Sequence, residues 1–249
     1  MPAENRIFRI CPCLVDRKSP QQYTHLQVVI EMKIQWHGHS CFSLHSNSGF
    51  CAVTDPCDPG TGYSIHISNP DAVTLSHSHH DHNYLEAVSG NPQVIQKEGW
   101  YQVGDVVIQG FPSYHDDQKG ALRGNNILFL YEIDHLRVLH LGDLGHIPSD
   151  TLIREIGEID ILLCPVGGIY TIDADQAVQV VKLFHPSVCI PMHYLTSALR
   201  FSLAPVDPFL ELAKAASIPA RHLESSIFDS EKGGSFPGNP EIIVLDFAS

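Results

Sequence analysis

The eight residues Leu75-Ser76-His77-Ser78-His79-His80-Asp81-His82 hold four histidines and one aspartate, and they overlap the end of the apolar run Asp71–Ser76. Four imidazoles and an acid crowded into one turn would repel one another when protonated and would gain little from packing. Imidazole is the commonest protein metal ligand. The crowding therefore reads as a metal grip at the end of a buried strand.

Working outward, three further segments end in the same way. Residues 105–112, 136–143 and 187–194 read as strands, and His115, Asp143 and His193 stand at or just beyond their C-terminal ends. If those ends share one rim, seven donor side chains converge there. Spacing divides them. His77 and His79 lie two apart and point the same way on leaving a strand, so with His115 they form one expected group. Asp81 and His82 fall a step further, where a helix is expected to begin, and with His193 they form the second. Asp143, with two carboxylate oxygens, is placed to serve both. A thiol-free, imidazole-rich set suits two Zn²⁺ ions, with Mn²⁺ or Fe as substitutes.

The rest of the pattern defines a fold class. Residues 32–38, 41–54, 125–133 and 159–168 also read as strands, with hairpin turns at Asn47-Ser48-Gly49 and Asp134-His135. Three helices are expected in the second half. Residues 149–157 run from a Ser149 cap to a Gly157 stop, and 173–184 bury Ala177, Val180, Val181 and Phe184. The third, 207–216, opens on Pro208. Strand runs mixed with capped helices give an α/β sandwich in one domain, residues 32–249. Residues 1–31 carry no clear period and read either as an N-terminal extension or as a loose tail with an edge strand at Leu26–Ile30.

Composition narrows the function. The net charge is −13 and Lys plus Arg number only 15, so nucleic acid is not an expected partner. The 7 cysteines lack paired spacing, which argues against a disulfide scaffold and for a reducing, cytoplasmic setting. No stretch is long and apolar enough for a membrane span. A small-molecule substrate is expected, and a homo-oligomer is compatible with the sequence.

The motifs "HSHHDH", "LGDLG" around Asp143 and "IPMHY" around His193 resemble those of the metallo-β-lactamase fold superfamily. "MKIQWHGHSCF", "TDP" and "PVGGIYTIDADQAV" are similar to its branch of uncharacterised metal-dependent hydrolases, akin to ascorbate-6-phosphate lactonases. The resemblance runs from Met32 to about Tyr194. It implies a four-layer αββα sandwich with metals between loops on one edge, and it carries the ligand roles onto the seven residues named above.

The chemistry implied is hydrolysis of a small ester, lactone or phosphoester by a metal-bridging hydroxide, because paired cations lower the pKa of water from 15.7 towards ~7. Asp81 is expected both to bind metal and to orient the water. His146, Tyr194 or a bound water is expected to donate the proton to the leaving group. Asp55 either orients a ligand imidazole or caps its loop, and His39 either lines the pocket or stabilises a turn. Gly167-Gly168 is expected to permit a sharp turn near the metals. His80 is the spare histidine, facing outward. A nuclease or phosphodiesterase of the same fold, a redox di-iron protein and a metal-binding module without turnover are the other readings.

Overall fold

The computed structural model describes residues 32–230 and 238–248. The expected extension, 1–31, lies outside them, as do Cys11 and Cys13. In chain order the strands of the first half are β1 (Lys33–Gly38), β2 (Cys41–His45), β3 (Cys51–Thr54), β4 (Ile67–Ser68), β5 (Ala72–Thr74), β6 (Val88–Ser89) and β7 (Gln93–Ile95). There follow β8 (Gly99–Val103), β9 (Val106–Tyr114), β10 (Asn125–Ile133) and β11 (Leu136–His140). The second half alternates: α1 (Asp150–Ile156), β12 (Ile161–Pro165), α2 (Ala174–Phe184), β13 (Val188–Met192) and α3 (Asp207–Ala215). It closes with β14 (Ala220–Leu223), β15 (Ile227–Asp229) and β16 (Glu241–Leu245).

Two large sheets result. One has six strands in the order β15-β1-β2-β3-β5-β7, and the other has eight in the order β14-β16-β13-β12-β11-β10-β9-β8. Each begins antiparallel and turns parallel, at β3–β5 in the first and β11–β12 in the second. Parallel neighbours need a crossover connection. In the eight-stranded sheet α1 and α2 supply it between β11, β12 and β13. In the six-stranded sheet the crossovers are loops with 3₁₀ turns at Pro59–Thr61 and Leu85–Ala87. The helix expected near His82 is therefore absent, and a turn takes its place. Tyr84 N donates to Pro56 O, so this loop folds back on the preceding crossover instead of coiling.

Side-chain alternation explains the layering. In the six-stranded sheet Phe42, Leu44, Ala52 and Ala72 point into the core between the sheets, together with Trp36 and, from the facing sheet, Phe129 and Tyr131. Cys41, Val53 and Val73 point the other way, into a second buried cluster beneath the crossover loops, with Cys57, Tyr63 and Ile65. The sheet is thus covered on both faces, which is why its strands read as continuous apolar runs.

The helices follow their caps. Ser149 Oγ accepts from Leu152 N, and Asp173 forms a capping box with Gln176. Helix α2 buries Ala177, Val180, Val181 and Phe184 as the periodicity requires, plus Val178. At Asp134-His135 both residues have positive φ, 49° and 64°, the mirror-image turn that matches strand twist in a tight hairpin. Cys41, Cys57, Cys164 and Cys189 are buried thiols, and Cys51 is half-buried; none of these five is paired. No helix among the described residues is long and apolar enough to cross a membrane.

Candidate metal centre

Every donor leaves from the C-terminal end of a strand. His77–His82 fill the crossover after β5, His115 follows β9, Asp143 comes just past β11, and His193 follows β13. Two residues join them from the same rim: Asp55, immediately after β3, and His39, in the β1–β2 turn. In open α/β sheets ligands sit outside the carboxyl ends of strands, where crossovers diverge.

The side chains meet. His77, His79 and His115 bring donor atoms within 4.8 Å of one another, as do Asp81, His82 and His193 with His39. Asp143 lies between these groups: Oδ1 is 3.2 Å from His82 Nε2, and Oδ2 is 3.1 Å from His115 Nε2 and 3.3 Å from His193 Nε2. His77 Nε2 stands 3.9 Å from the same Oδ2. The structure thus brings together all seven residues singled out in the sequence.

The polar accounting fits a cation. His77 Nε2, His82 Nε2, His193 Nε2 and Asp143 Oδ1 are buried and make no hydrogen bond. Buried polar atoms are normally hydrogen-bonded, and one left without a partner calls for an explanation. Four such atoms at and around Asp143, all of metal-ligand type, fit divalent ions.

Asp55 sets one of these rings. It is fully buried, accepts from Ser76 N at 2.7 Å and from Ser76 Oγ, and accepts from His82 Nδ1 at 2.9 Å. That contact leaves Nε2 of His82 free to face Asp143, so of the two roles open to Asp55 the structure shows the orienting one. His39 is also fully buried; its Nε2 lies 3.2 Å from Asp81 Oδ2, and its ring lies 4.2 Å from that of His193. It lines the site and also serves the turn, since its carbonyl accepts from Trp36 Nε1 and His193 N.

The electrostatics follow from this crowding. Burial opposes charge on His82, but Asp143 and Asp55 on either side outweigh it and hold its pKa well above the usual value. Burial would raise Asp143, yet the surrounding His193, His82 and His115 keep it well below the usual carboxylate range. Burial, then the neighbouring His82, pushes His77 down to about 3, and burial with His193 pushes His39 down to about 4. Neutral imidazoles are what a metal needs; burial supplies that form at His77 and His39, whereas at His82 a cation would have to displace the proton that the two carboxylates hold there.

Glycines let the ligand segments approach. A Cβ on Gly145 would stand 2.3 Å from the carbonyl carbon of His115, and one on Gly167 would stand 2.2 Å from His193 O. Gly167 thus serves close backbone approach, while Gly168, with φ +57°, makes the turn.

Neither proposed side-chain proton donor reaches the centre. Tyr194 follows His193, whose positive φ of 51° turns the chain as it leaves β13 and sends the next side chain away from the centre. Its ring packs 5.3 Å from that of Trp36 and lines a separate cavity with Val206 and Phe247. His146 lines another cavity with Tyr114 and Asp116, and its Nδ1 donates to Ile147 O at 3.0 Å. Packing of Gly145 on the His115 backbone turns the chain there. His80 faces outward as expected, 81% exposed, and stands at the cavity mouth with Nδ1 3.4 Å from Asp81 Oδ1.

The cavity over the centre measures about 450 Å³ and is lined by His79, His80, Asp81, His115 and Asp143, with Arg123, Tyr170 and Phe201 as further walls. The last three carry no local sequence signature. Only the packing of loops 116–124, 168–173 and 194–206 assembles them.

A two-sheet α/β sandwich with a histidine–aspartate cluster at one rim is the architecture of the metallo-β-lactamase superfamily. The chain belongs to that family, matching the β-lactamase superfamily domain over residues 33–193. It is 29% identical over 215 residues to a UPF0173 metal-dependent hydrolase of Thermoplasma volcanium, covering 75% of this chain and 93% of the relative. To a UPF0173 protein of Pyrococcus abyssi it is 33% identical over 188 residues, 66% of this chain and 84% of the relative. Among solved structures, a proposed Zn-dependent hydrolase of the superfamily from Thermotoga maritima superposes with a TM-score of 0.72 at 40% identity. It covers 87% of this chain and all of that one.

Proposed function

We propose that this chain is a metal-dependent hydrolase of a small-molecule ester, lactone or phosphoester. His77, His79 and His115 would hold one zinc ion and Asp81, His82 and His193 a second, with Asp143 shared. The observation that carries this is the set of four buried donor atoms without hydrogen bonds, on His77, His82, His193 and Asp143. The relatives named metal-dependent hydrolases support it. When bound, divalent zinc supplies Lewis acidity and lowers the pKa of water from 15.7 towards ~7.

The chain's own residues supply the rest. Asp55 fixes the His82 tautomer, and His39 holds Oδ2 of Asp81. Asp81 is 17% exposed and lines the cavity, so it is the carboxylate placed to orient a water and hold its proton at Oδ1. Tyr170 and Phe201 wall the cavity. With His146 and Tyr194 directed elsewhere, return of the proton to the leaving group falls to Asp81 or to a water at the His80 rim. The −13 net charge supports a small-molecule substrate over nucleic acid, and the unpaired thiols support a cytoplasmic setting.

The test is metal analysis of the purified protein joined to a panel of lactones, phosphodiesters, thioesters and β-lactams, run on wild type and Asp143→Ala. Near-stoichiometric zinc and turnover of at least one class, both lost in the variant, are expected. Less than one metal per chain, or metal content indifferent to Asp143→Ala, would overturn the proposal.

A further inference from the structure

The cavity over the metal centre has company. A second space of about 690 Å³ lies on the other side of His79, lined by His77, Asn83, Gln96, Lys97, Glu98 and Asn125. Two residues border both spaces, His79 and Arg123. Arg123 thus stands at the junction between the reacting centre and the adjoining polar chamber.

Among the described residues Arg123 is the only Lys or Arg side chain lining the metal cavity. Among the described residues no carboxylate pairs with it, whereas Arg137 pairs with Glu132 and Arg221 with Glu241. It is nonetheless held in place. Its guanidinium carbon lies 5.6 Å from the centre of the Tyr170 ring, and Nη2 donates to Ile169 O at 3.4 Å. Stacking on an aromatic face orients a guanidinium and leaves the N–H groups not engaged by Ile169 O available to an oxyanion.

The loop beneath it is equally determined. Asp116, next to His115, accepts from four backbone N–H groups, those of Gln118, Gly120, Leu122 and Arg123. These bonds hold its carboxyl below the usual range against the opposing effect of burial. One carboxylate therefore ties the position of Arg123 to the strand end that delivers His115. In a chain of net charge −13, an oriented, unpaired cation at a reacting centre points to an anionic ligand group.

We infer that Arg123 is a specificity-determining residue that binds an anionic group, a carboxylate or phosphate, on the substrate. Its bond to be cleaved would lie in the smaller cavity, and its remaining polar part would extend into the larger chamber. The inference rests on the hydrolase proposal and narrows its substrate class to anionic esters, lactones or phosphoesters. Arg123 acts by binding and takes no proton.

The experiment has two arms on zinc-loaded protein. In the first, glutarate and inorganic phosphate are titrated calorimetrically into wild type, Arg123→Gln and Arg123→Lys, separating the two anion chemistries. Loss of a charged hydrogen-bonding partner is expected to weaken one or both about ten-fold in Arg123→Gln, with part regained in Arg123→Lys. In the second, kcat/KM is compared for mono-4-nitrophenyl glutarate and uncharged 4-nitrophenyl acetate. The glutarate-to-acetate ratio is expected to fall about ten-fold in Arg123→Gln, through KM. Absence of anion binding in wild type, binding unchanged by Arg123→Gln, or an unchanged ester ratio would overturn the inference. If neither ester is cleaved but anion binding falls in the variant, the anion site stands, and ester hydrolysis is what has failed.

Discussion

Replacing Asp55 separates the orientation of the metal ligands from their identity. Asp55 is not one of the seven proposed ligands; one of its oxygens meets His82 Nδ1 at 2.9 Å and also Ser76 Oγ, and the other meets Ser76 N at 2.7 Å. Asp55→Ala would strand three donors, His82 Nδ1, Ser76 N and Ser76 Oγ, in a fully buried site, at about 1–3 kcal/mol each. A total of about 3–9 kcal/mol is a large part of the ~5–15 kcal/mol of a typical domain. That variant is expected to fold poorly, so Asp55→Asn is the sharper probe. Its remaining oxygen still accepts from Ser76 N, but its amide faces His82 Nδ1 as a donor. His82 must then accept through Nδ1 and carry its proton on Nε2, the nitrogen 3.2 Å from Asp143 that a metal would use. Loss of such an orienting partner costs about 10–100-fold in metal affinity. Zinc titration against a competing chromophoric chelator reads that directly, and urea unfolding of the chelated protein controls for stability. If Asp55→Asn binds zinc as tightly as wild type, the orienting argument is wrong.

Two other perturbations test the same structure from different sides. Gly167→Ala would set a Cβ 2.2 Å from the carbonyl oxygen of His193, a backbone atom that cannot swing aside. A stability loss of about 1–3 kcal/mol by urea unfolding is expected, with weakened zinc binding as His193 shifts; an unaltered midpoint would refute the close-approach role. His37, away from the metal centre, is depressed from 6.5 to about 4 by burial and then by neighbouring His45. Between those values the unfolded chain binds a proton that the folded chain refuses. Its contribution to stability is therefore full above pH 6.5 and lost as pH falls towards 4. In His37→Gln the urea midpoint should vary less over that window than in wild type, and an identical pH profile would count against it.

How much of the site could be read beforehand depends on how local each signal is. His77, His79 and His82 announce themselves because they occupy one turn, and repulsion leaves few other uses for such a cluster. His115, Asp143 and His193 needed the added premise that strand ends share a rim. The two proton-donor candidates show where nearness in sequence misleads. Tyr194 adjoins His193, but the left-handed turn at His193 sends it to the Trp36 stack, and His146 faces the Tyr114 side. The helix expected after Asp81 gave way to a turn because the crossover loop packs back on the loop after β3.

The sequence by itself determined the strand runs, the capped helices of the second half and the donor types at strand ends, since these depend on periodicity, caps and residue chemistry within one segment; the two-sheet layering was legible only through the family resemblance. Tertiary structure decided which atoms face one another. It set Asp143 between the two histidine groups, assigned Asp55 and His39 to the site, and placed Arg123 beside Tyr170 at the cavity wall. Those choices arise from how separate crossover loops pack on one rim, and side chains far apart in the chain carry no local record of that meeting.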